Sequence, residues 1–348
     1  MSRISRKCWK FVFIGLLLII MVSVQAQENA TDTMERDWRV SVWYPSSESG
    51  GGFESIVANQ DLIEEVNPFW YTPAPDGHLI ATAEAENEAQ LAAWREARLL
   101  ILPSIFASVP DIIGEPIRDV HIAAIVETVT RMDYDGIDID YEGFPAATRE
   151  DFSLFVEGLA QELQAIDKLL SVTVHAKTDD VNAWDAALAQ DWQRLAAVAD
   201  RFKIMTYDYT NRNEPPGPIS PPDWVLDVLT YAETVTDLSK VQMGLHFYGY
   251  TWQRGTPPAT ATAWSGIQTY IENFDLVIER DLASQEAFID FKIVGLPRQV
   301  VFFADPVGLA YKLEQVQAQF PNLGGVAIWG IGGEHPELWH VLREYSAE

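Results

Sequence analysis

Short apolar runs alternate with amphipathic stretches along most of the chain. Runs that predict strands buried on both faces lie at 40–44, 63–71, 99–106, 136–141, 169–175, 202–207, 241–248, 300–303 and 325–329. Apolar residues at helical spacing predict helices at 84–97, 117–132, 149–166, 192–199, 224–234, 307–319 and 336–344. Strand and helix therefore follow each other in a regular order, which is typical of α/β proteins.

This order predicts a (β/α)8 TIM barrel, because roughly eight strand–helix units follow one another within residues 39–348. Residues 251–298 interrupt the order and are predicted to form a small insertion after the seventh strand. A doubly wound open sheet is the alternative α/β architecture. It is disfavoured because no glycine-rich phosphate loop follows a predicted strand.

The N-terminal segment predicts export from the cytoplasm. Basic residues between Arg3 and Lys10 precede an apolar run at 11–24, which ends close to Ala26. Residues 1–26 therefore predict a secretory signal peptide, followed by a flexible lead-in at 27–38. An uncleaved anchor is the alternative, because the apolar run approaches the length that spans a bilayer. The expected location is secreted, extracellular or in the cell envelope, without stable membrane association once the signal is cleaved.

Charge and cysteine content limit the possible partners. The formal net charge is −27, which argues against nucleic acid and anionic membrane surfaces. A neutral or cationic partner, such as a glycan, suits this charge better. The single cysteine lies within the predicted signal peptide, so no disulfide is expected in the mature protein. The sequence predicts no particular oligomeric state.

The segment 135–142 reads D-G-I-D-I-D-Y-E and carries the strongest chemical signal in the chain. Asp138, Asp140 and Glu142 alternate with apolar residues, so a strand presents all three carboxylates on one face. Like charges in a shared site raise at least one pKa, and a glutamic acid protonated near neutral pH can act as a general acid.

Three other interpretations of this segment fit less well. A calcium loop would place Arg131 at its first ligand position, where a cation cannot be bound. A solvated edge strand conflicts with the flanking isoleucines and the amphipathic helices on either side. A metal hydrolase would need histidine ligands nearby, and the six histidines are scattered along the chain.

Polar and aromatic residues also lie at the ends of other predicted strands. In a barrel these ends meet at one face, where barrel enzymes carry their active sites. The candidates are Glu142, His175, Tyr207, Asp208, Tyr248 and Trp329, together with Tyr44 at the end of the first strand. His175 and His246 are expected to be hydrogen-bonded residues of the barrel rather than ligand contacts.

The motif D-x-x-D-x-D-x-E at 135–142 resembles that of glycoside hydrolase family 18, the chitinase-like enzymes. The segments 205–209 (M-T-Y-D-Y), 244–249 (G-L-H-F-Y-G) and 327–329 (A-I-W) resemble that family's sixth, seventh and last strands. The runs 215–219 and 301–306 resemble its bacterial spore-germination or cortex-lytic glucosaminidase branch. Two departures are His246, where the family usually has proline, and the absence of S-x-G-G at 102–106.

The resemblance implies a secreted glycosidase that cleaves β-1,4 bonds next to N-acetylglucosamine, with no cofactor and no metal. It implies that Glu142 protonates the glycosidic oxygen while the substrate's 2-acetamido oxygen attacks the anomeric carbon. Asp140 and Tyr207 would hold the acetamido group, and Asp138 would share a proton with Asp140. The expected substrate-binding residues are Asp208, Trp329, Tyr248 and Tyr44.

Two further functions remain open at this point. One is non-catalytic, lectin-like sugar binding on the same fold, and the other is a structural or regulatory role in a cell wall. The substrate is equally open, because chitin, peptidoglycan and N-linked glycan cores all present the same 2-acetamido group.

Overall fold

The computed structural model describes residues 38–45, 51–295 and 297–346. The predicted signal peptide and all but the last residue of the predicted lead-in lie outside the described residues. Within the described ranges, no helix combines the length and the apolar character that crossing a bilayer requires.

The strands are defined in chain order. They are β1 (Arg39–Tyr44), β2 (Glu65–Pro73), β3 (Leu79–Ala81), β4 (Leu100–Ile101), β5 (Ser104–Ala107), β6 (Gly136–Tyr141), β7 (Leu169–His175), β8 (Arg201–Met205), β9 (Val241–His246), β10 (Gly249–Gln253), β11 (Thr260–Thr262), β12 (Glu279–Arg280), β13 (Ala287–Phe291), β14 (Gln299–Phe303) and β15 (Gly325–Trp329).

The α-helices follow the same numbering. They are α1 (Gly52–Ala58), α2 (Glu88–Glu96), α3 (Arg118–Met132), α4 (Arg149–Gln164), α5 (Asp185–Leu188), α6 (Trp192–Val198), α7 (Pro222–Val235), α8 (Trp264–Phe274), α9 (Pro306–Gln319) and α10 (Glu337–Ser346). Short 3-10 turns occupy Pro110–Ile113, Ala146–Thr148 and Leu238–Lys240.

A closed parallel barrel forms the body of the protein, and the predicted fold class is confirmed. The barrel order is β1, β2, an interrupted third strand made of β4 and β5, then β6, β7, β8, β9 and β15. Closure follows because β1 pairs in parallel with both β2 and β15. The short β3 adds to β2 as an antiparallel hairpin strand.

A second, five-stranded sheet follows the seventh barrel strand, in the order β11-β10-β14-β13-β12. All of its pairings are antiparallel. The inserted sheet therefore extends over 249–303, which is wider than the predicted insertion at 251–298. The run 300–303 is a strand, as predicted, but it pairs within this sheet and not within the barrel.

The apolar core lies between the strands and the surrounding helices. The outward-facing residues of β6 are Ile137, Ile139 and Tyr141, and all three are buried in the main hydrophobic cluster. Tyr141 packs against Phe155 of α4 with their ring centroids 5.5 Å apart. Burying such side chains stabilises the fold by about 1.5–3 kcal/mol each, so this shell carries most of the favourable free energy of folding.

The inward-facing positions of the barrel strands are mostly polar and are buried as well. They include Ser41, Glu65, Asn67, Ser104, Asp138, Asp140, Ser171, Thr173, Lys203 and Gln242. Barrel interiors are usually filled by branched aliphatic side chains. Here the interior is instead a hydrogen-bonded polar stack that leads up to the cleft.

Gly325 makes barrel closure possible. It pairs with Arg39 where β15 meets β1, and its φ is +142°. A Cβ atom at this position would lie 2.0 Å from the carbonyl oxygen of Arg39. Only glycine therefore lets the two strands approach closely enough to close the barrel.

Candidate active site

A cleft of about 1300 Å³ opens at the C-terminal ends of the barrel strands. Its walls combine carboxylates with aromatic rings. The lining residues include Trp43, Phe69, Phe106, Asp140, Glu142, His175, Trp184, Tyr207, Asp208, Tyr209, Arg212, Trp224, Tyr250 and Trp329. The structure therefore brings most of the predicted strand-end residues together at one face of the barrel.

Asp138 is the deepest acid of the row and is saturated with hydrogen-bond donors. Its carboxylate accepts hydrogen bonds from Ser104 (2.7 Å), Ser171 (2.5 Å), Thr173 (3.2 Å) and the Trp43 indole N–H (3.1 Å). An ionised carboxylate has about four favourable acceptor sites, so these donors account for all of them.

Asp140 lies two residues further along the strand, nearer the cleft, and lacks a comparable set of hydrogen-bond donors. It is 4% exposed, and its Oδ1 has no hydrogen-bond partner among the described residues. Burial, and then the charges of Glu142 and Asp138, raise its pKa well above the usual range. The predicted sharing of a proton between Asp138 and Asp140 stays a prediction.

Glu142 ends the row in the wall of the cleft. Burial, followed by the nearby charge of Asp208, raises its pKa to about 7. A carboxyl group with this pKa is partly protonated at neutral pH and can both donate and accept a proton, which suits acid–base chemistry. The sequence argument that neighbouring charges in the row raise a pKa applies to Asp140, whereas the charge that acts on Glu142 is that of Asp208.

Tyr207 and Asp208 follow β8 directly and reach the same space. Tyr207 packs edge-on against Trp43 at 6.5 Å, and its ring fits only because position 244 is glycine. A Cβ atom at Gly244 would lie 2.9 Å from the Tyr207 ring and 2.6 Å from the Ile204 carbonyl oxygen.

Asp208 has the left-handed backbone conformation (φ 58°), which is costly for a residue other than glycine. Two tyrosine hydroxyls donate to its carboxylate, from Tyr248 at 2.6 Å and from Tyr250 at 3.0 Å. Burial raises the pKa of Asp208, and these two hydrogen bonds act in the opposite direction. Asp208 is thus held at a fixed place near Glu142.

Aromatic pairs line the rest of the cleft. Trp329 packs against Phe69 with ring centroids 5.3 Å apart, and both rings line the cleft. Trp184 packs against His175 at 4.5 Å, and Tyr209 packs against Trp224 at 5.3 Å. Trp184 and Tyr209 are each more than half exposed. Exposed rings of this kind offer flat apolar faces to the C–H faces of sugar rings.

Two predicted substrate contacts are corrected by the structure. Tyr44 faces the helices rather than the cleft, because β1 alternates and Trp43 takes the inward position. Tyr44 packs edge-on against Trp94 at 5.7 Å, and its hydroxyl accepts a hydrogen bond from Gln90. Tyr248 stands behind Asp208 and does not line the cleft, whereas Tyr250 does.

The two histidines also differ from expectation. His175 lines the cleft, and its Nε2 accepts a long hydrogen bond (3.4 Å) from the Gly143 amide. Burial lowers its pKa to about 4, so the ring is neutral at neutral pH. His246 was predicted to be satisfied, but neither ring nitrogen has a hydrogen-bond partner among the described residues.

Sequence reasoning missed several contributors to the site. Trp43 lies one position before the predicted contact Tyr44, and it lines the cleft together with Tyr250. Lys203 is buried beneath them and contacts the Trp43 ring. The alternation of side chains along 41–43 and 202–204 could have indicated that Trp43 and Lys203 face inward. It places Trp43 on the same face as Ser41, and it places Lys203 between two outward-facing apolar residues.

Asp135 does not enter the cleft. Its carboxylate accepts a hydrogen bond from the Ile101 amide at 2.8 Å and thus fixes the start of β6. Within the described ranges, no group of three or more His, Cys, Asp or Glu side chains could hold a metal ion. The carboxyls of Asp140 and Glu142 stand beside aromatic rings in the lining of the cleft, and carboxyls in such a place can transfer protons.

A family model described as glycosyl hydrolases family 18 matches residues 115–334, which is more than half of the chain. Among curated proteins, the cortical fragment-lytic enzyme of Bacillus anthracis is 26% identical over 232 residues. That alignment covers 66% of this chain and 53% of the relative, so the chain spans about half the length of the curated relatives it matches.

Solved structures show the same fold at lower sequence identity. A chitinase from Chromobacterium violaceum superposes with a TM-score of 0.83 at 21% identity, covering 89% of this chain and 99% of that one. The Bacillus cereus spore cortex-lytic enzyme SleL superposes with a TM-score of 0.80 at 22% identity, covering 88% and 74%.

Proposed function

Because the chain belongs to glycosyl hydrolase family 18, we propose that it hydrolyses β-1,4 bonds next to N-acetylglucosamine. The observation that carries this proposal is the pair of protonatable carboxyls, Asp140 and Glu142, in the wall of an aromatic cleft. The Glu142 pKa of about 7 supports the role of general acid and base.

In the proposed reaction, Glu142 gives its proton to the glycosidic oxygen as the bond to the anomeric carbon breaks. The substrate's own 2-acetamido oxygen forms the new bond to that carbon, which gives a cyclic oxazolinium ion. Water then opens the ring, losing a proton to Glu142, so the configuration is retained. Asp140 holds the acetamido N–H and offsets the developing positive charge, and Tyr207 hydrogen-bonds the acetamido group.

Trp329 and Phe69 form the proposed floor beneath the reacting sugar. The exposed rings of Trp184 and Tyr209 extend the same kind of contact along the cleft. We also propose that the protein is exported through the signal peptide at 1–26, which would bring it to an extracellular polymer.

The names of the relatives point to two substrate classes, cortical fragments for one group and chitin for the other. Mass spectrometry of products distinguishes them when residues 27–348 are incubated with chitin oligosaccharides and, in parallel, with peptidoglycan. Products from either polymer would support the proposal and select the class.

Glu142→Gln is the matched control in that experiment, because it keeps the shape of the side chain and removes the proton. We expect it to fold normally and to lose about 10²–10⁴-fold in kcat. Full activity of this variant would overturn the proposed role of Glu142. Binding of the same sugars without cleavage by the wild type would instead favour the lectin-like function.

A further inference from the structure

Lys203 occupies an unusual place, in the middle of the barrel below the acidic row. Its neighbours Phe202 and Ile204 face the helices, so the alternation of β8 turns Lys203 inward. Its side chain is fully buried. A buried ammonium ion is strongly destabilising unless it is paired and hydrogen-bonded. The groups that contact the Lys203 ammonium therefore indicate its role.

The Lys203 ammonium is in contact with four groups. It donates hydrogen bonds to Glu65 (2.6 Å) and to the Asn67 side-chain oxygen (2.7 Å), lies 3.6 Å from Asp138 Oδ1, and stands 5.7 Å from the centre of the Trp43 ring. Trp43 itself donates to Asp138. The cation and the indole therefore meet at the same carboxylate.

Glu65 has a second cation of its own. Its other oxygen faces Arg201 at 3.5 Å, and Arg201 is also 3.2 Å from Glu64. Arg201 and Lys203 thus share the neutralisation of Glu65, and the positive charge of Lys203 is also available to Asp138. Without Lys203, Asp138 would place an uncompensated buried anion beside the two catalytic carboxyls.

We propose that Lys203 is a positioning residue of the reaction: its buried ammonium balances the charge of Asp138, so that Asp140 can exchange a proton beside the bound sugar. This inference rests on the proposed hydrolase activity and deepens it. Lys203 acts through Asp138 and Asp140 and does not touch the cleft.

The charged and titratable groups around Asp140 agree with this role. Asp138 stands on the same strand as Asp140, and Glu142 follows the end of that strand. Tyr207 lies on the segment after β8, and Lys203 is the cation beneath. Burial and the two neighbouring carboxylates raise the pKa of Asp140, and Lys203 opposes that rise. Removal of the cation should therefore make Asp140 hold its proton to a higher pH.

The test uses Lys203→Met together with Glu65→Gln, because removal of the lysine alone would leave a poorly compensated carboxylate and risk unfolding. Glu65→Gln alone is the matched control, since it keeps the cation beside Asp138. Carbon NMR of protein labelled at the aspartate carboxyl carbons follows the titration of Asp140, whose signal is assigned by its loss in Asp140→Asn.

We expect the Asp140 titration to move upward by about one pH unit or more in the double variant relative to the control. We also expect kcat on the cleaved sugar to fall at least about tenfold, with a much smaller change in KM. An unmoved titration in a folded double variant would overturn the inference.

The two readouts separate the inference from the activity on which it rests. If the titration moves but the wild type cleaves none of the sugars supplied, the proposed function fails while the link from Lys203 to Asp140 stands. If the wild type cleaves sugar and the titration does not move, the proposed function stands and Lys203 is only structural.

Discussion

At the scale of single residues, Asp138, Asp140 and Glu142 differ because their surroundings differ. Asp138 is surrounded by donors, Asp140 is buried with an unpartnered oxygen, and Glu142 faces the cleft near Asp208. The same residue type thus serves as a fixed hydrogen-bond acceptor in one place and as a proton carrier in another. The protons of the row are consequently held at its outer end, where a substrate can reach them.

Asp208→Asn should shift the pH profile. The Asp208 charge is one of the causes that raise the Glu142 pKa to about 7, so its removal lowers that pKa. The general acid then loses its proton earlier as the pH rises. We expect the basic limb of kcat/KM to move down by about 0.5–1 pH unit. Asp223→Asn, on the exposed face of α7, is the control, and an unshifted limb would contradict the prediction.

Glu142→Gln should also change stability in a pH-dependent way. The folded pKa of Glu142 is about 7, against an ordinary value near 4.5, so the unfolded chain ionises first as the pH rises. Wild-type stability therefore falls between about pH 4.5 and 7 for this group. The variant should be more stable than wild type by about 1–3 kcal/mol at pH 8, with the gain disappearing near pH 4.

Urea unfolding at both pH values measures this difference. Glu96→Gln, on the exposed surface of α2, controls for the loss of one negative charge. A gain that is the same at pH 4 and pH 8 would show that the effect is not due to the raised pKa.

Much of the site could be predicted at this scale because alternation is local. The row of acids, Tyr207 and Trp329 follow from the motif and from strand alternation. The predicted contact Tyr44 was wrong by one position, because Trp43 and Tyr44 are adjacent aromatic residues and the sequence does not show which of them faces the cleft. The buried position of Lys203 was not predictable, because a lysine between apolar residues usually marks a solvent-facing position.

At the scale of elements, the inserted sheet fixes the segment that carries the cleft residues after β8. Glu286, just before β13, accepts hydrogen bonds from the Ile219 amide (2.7 Å) and the Ser220 amide (3.0 Å). Lys312 of α9 donates to the Ser220 hydroxyl at 2.7 Å. The segment from Tyr207 to Ser220 is thereby tied to the insertion at its far end.

Glu286→Gln should loosen that segment. The amide side chain keeps only one accepting oxygen and loses the negative charge, so one buried backbone N–H is left without its partner. We expect a loss of about 1–3 kcal/mol in unfolding free energy and faster proteolysis between 208 and 220. Glu279→Gln, on the exposed edge strand β12, is the control. An unchanged cleavage pattern would contradict the role of Glu286.

The sheet to which a strand belongs is not a local property of the sequence. For this reason the extent of the insertion was predicted incorrectly. The run 300–303 has the composition of a barrel strand, but β14 pairs with β10 and β13. The pairing partners that decide its sheet lie about 10 and 50 positions earlier in the chain, at 287–291 and 249–253.

At the scale of the whole molecule, the eightfold strand–helix order was enough to predict the barrel. The polar interior was not predictable in the same way, because it depends on contacts across the barrel. Lys203 and Glu65 form their ion pair although they are 138 positions apart. No periodicity reports such a pair, whereas the apolar shell outside the strands follows from the local pattern.

Gly325→Ala should weaken the closure of the barrel. The added methyl group would lie 2.0 Å from the Arg39 carbonyl oxygen, so β1 and β15 would have to separate. We expect a loss of about 3 kcal/mol or more. Gly295→Ala is a matched control, because it also has a positive φ (+86°) but would meet no atom within 4 Å.

Chemical denaturation compares the two variants. We expect the control to lose only about 1 kcal/mol, the ordinary cost of a left-handed conformation for alanine. Equal losses in both would show that backbone conformation, and not the approach of the strands, determines the effect at Gly325.

The polar stack inside the barrel has a consequence for protein engineering. Since the apolar shell outside the strands holds the fold, inward positions can be redesigned in compensated pairs without emptying the hydrophobic core. A library restricted to Ser41, Glu65, Asn67, Ser171 and Lys203 would change the electrostatic field under the cleft while the residues that line the cleft stay in place. Such a library offers a way to retune the working pH of the protein independently of its specificity.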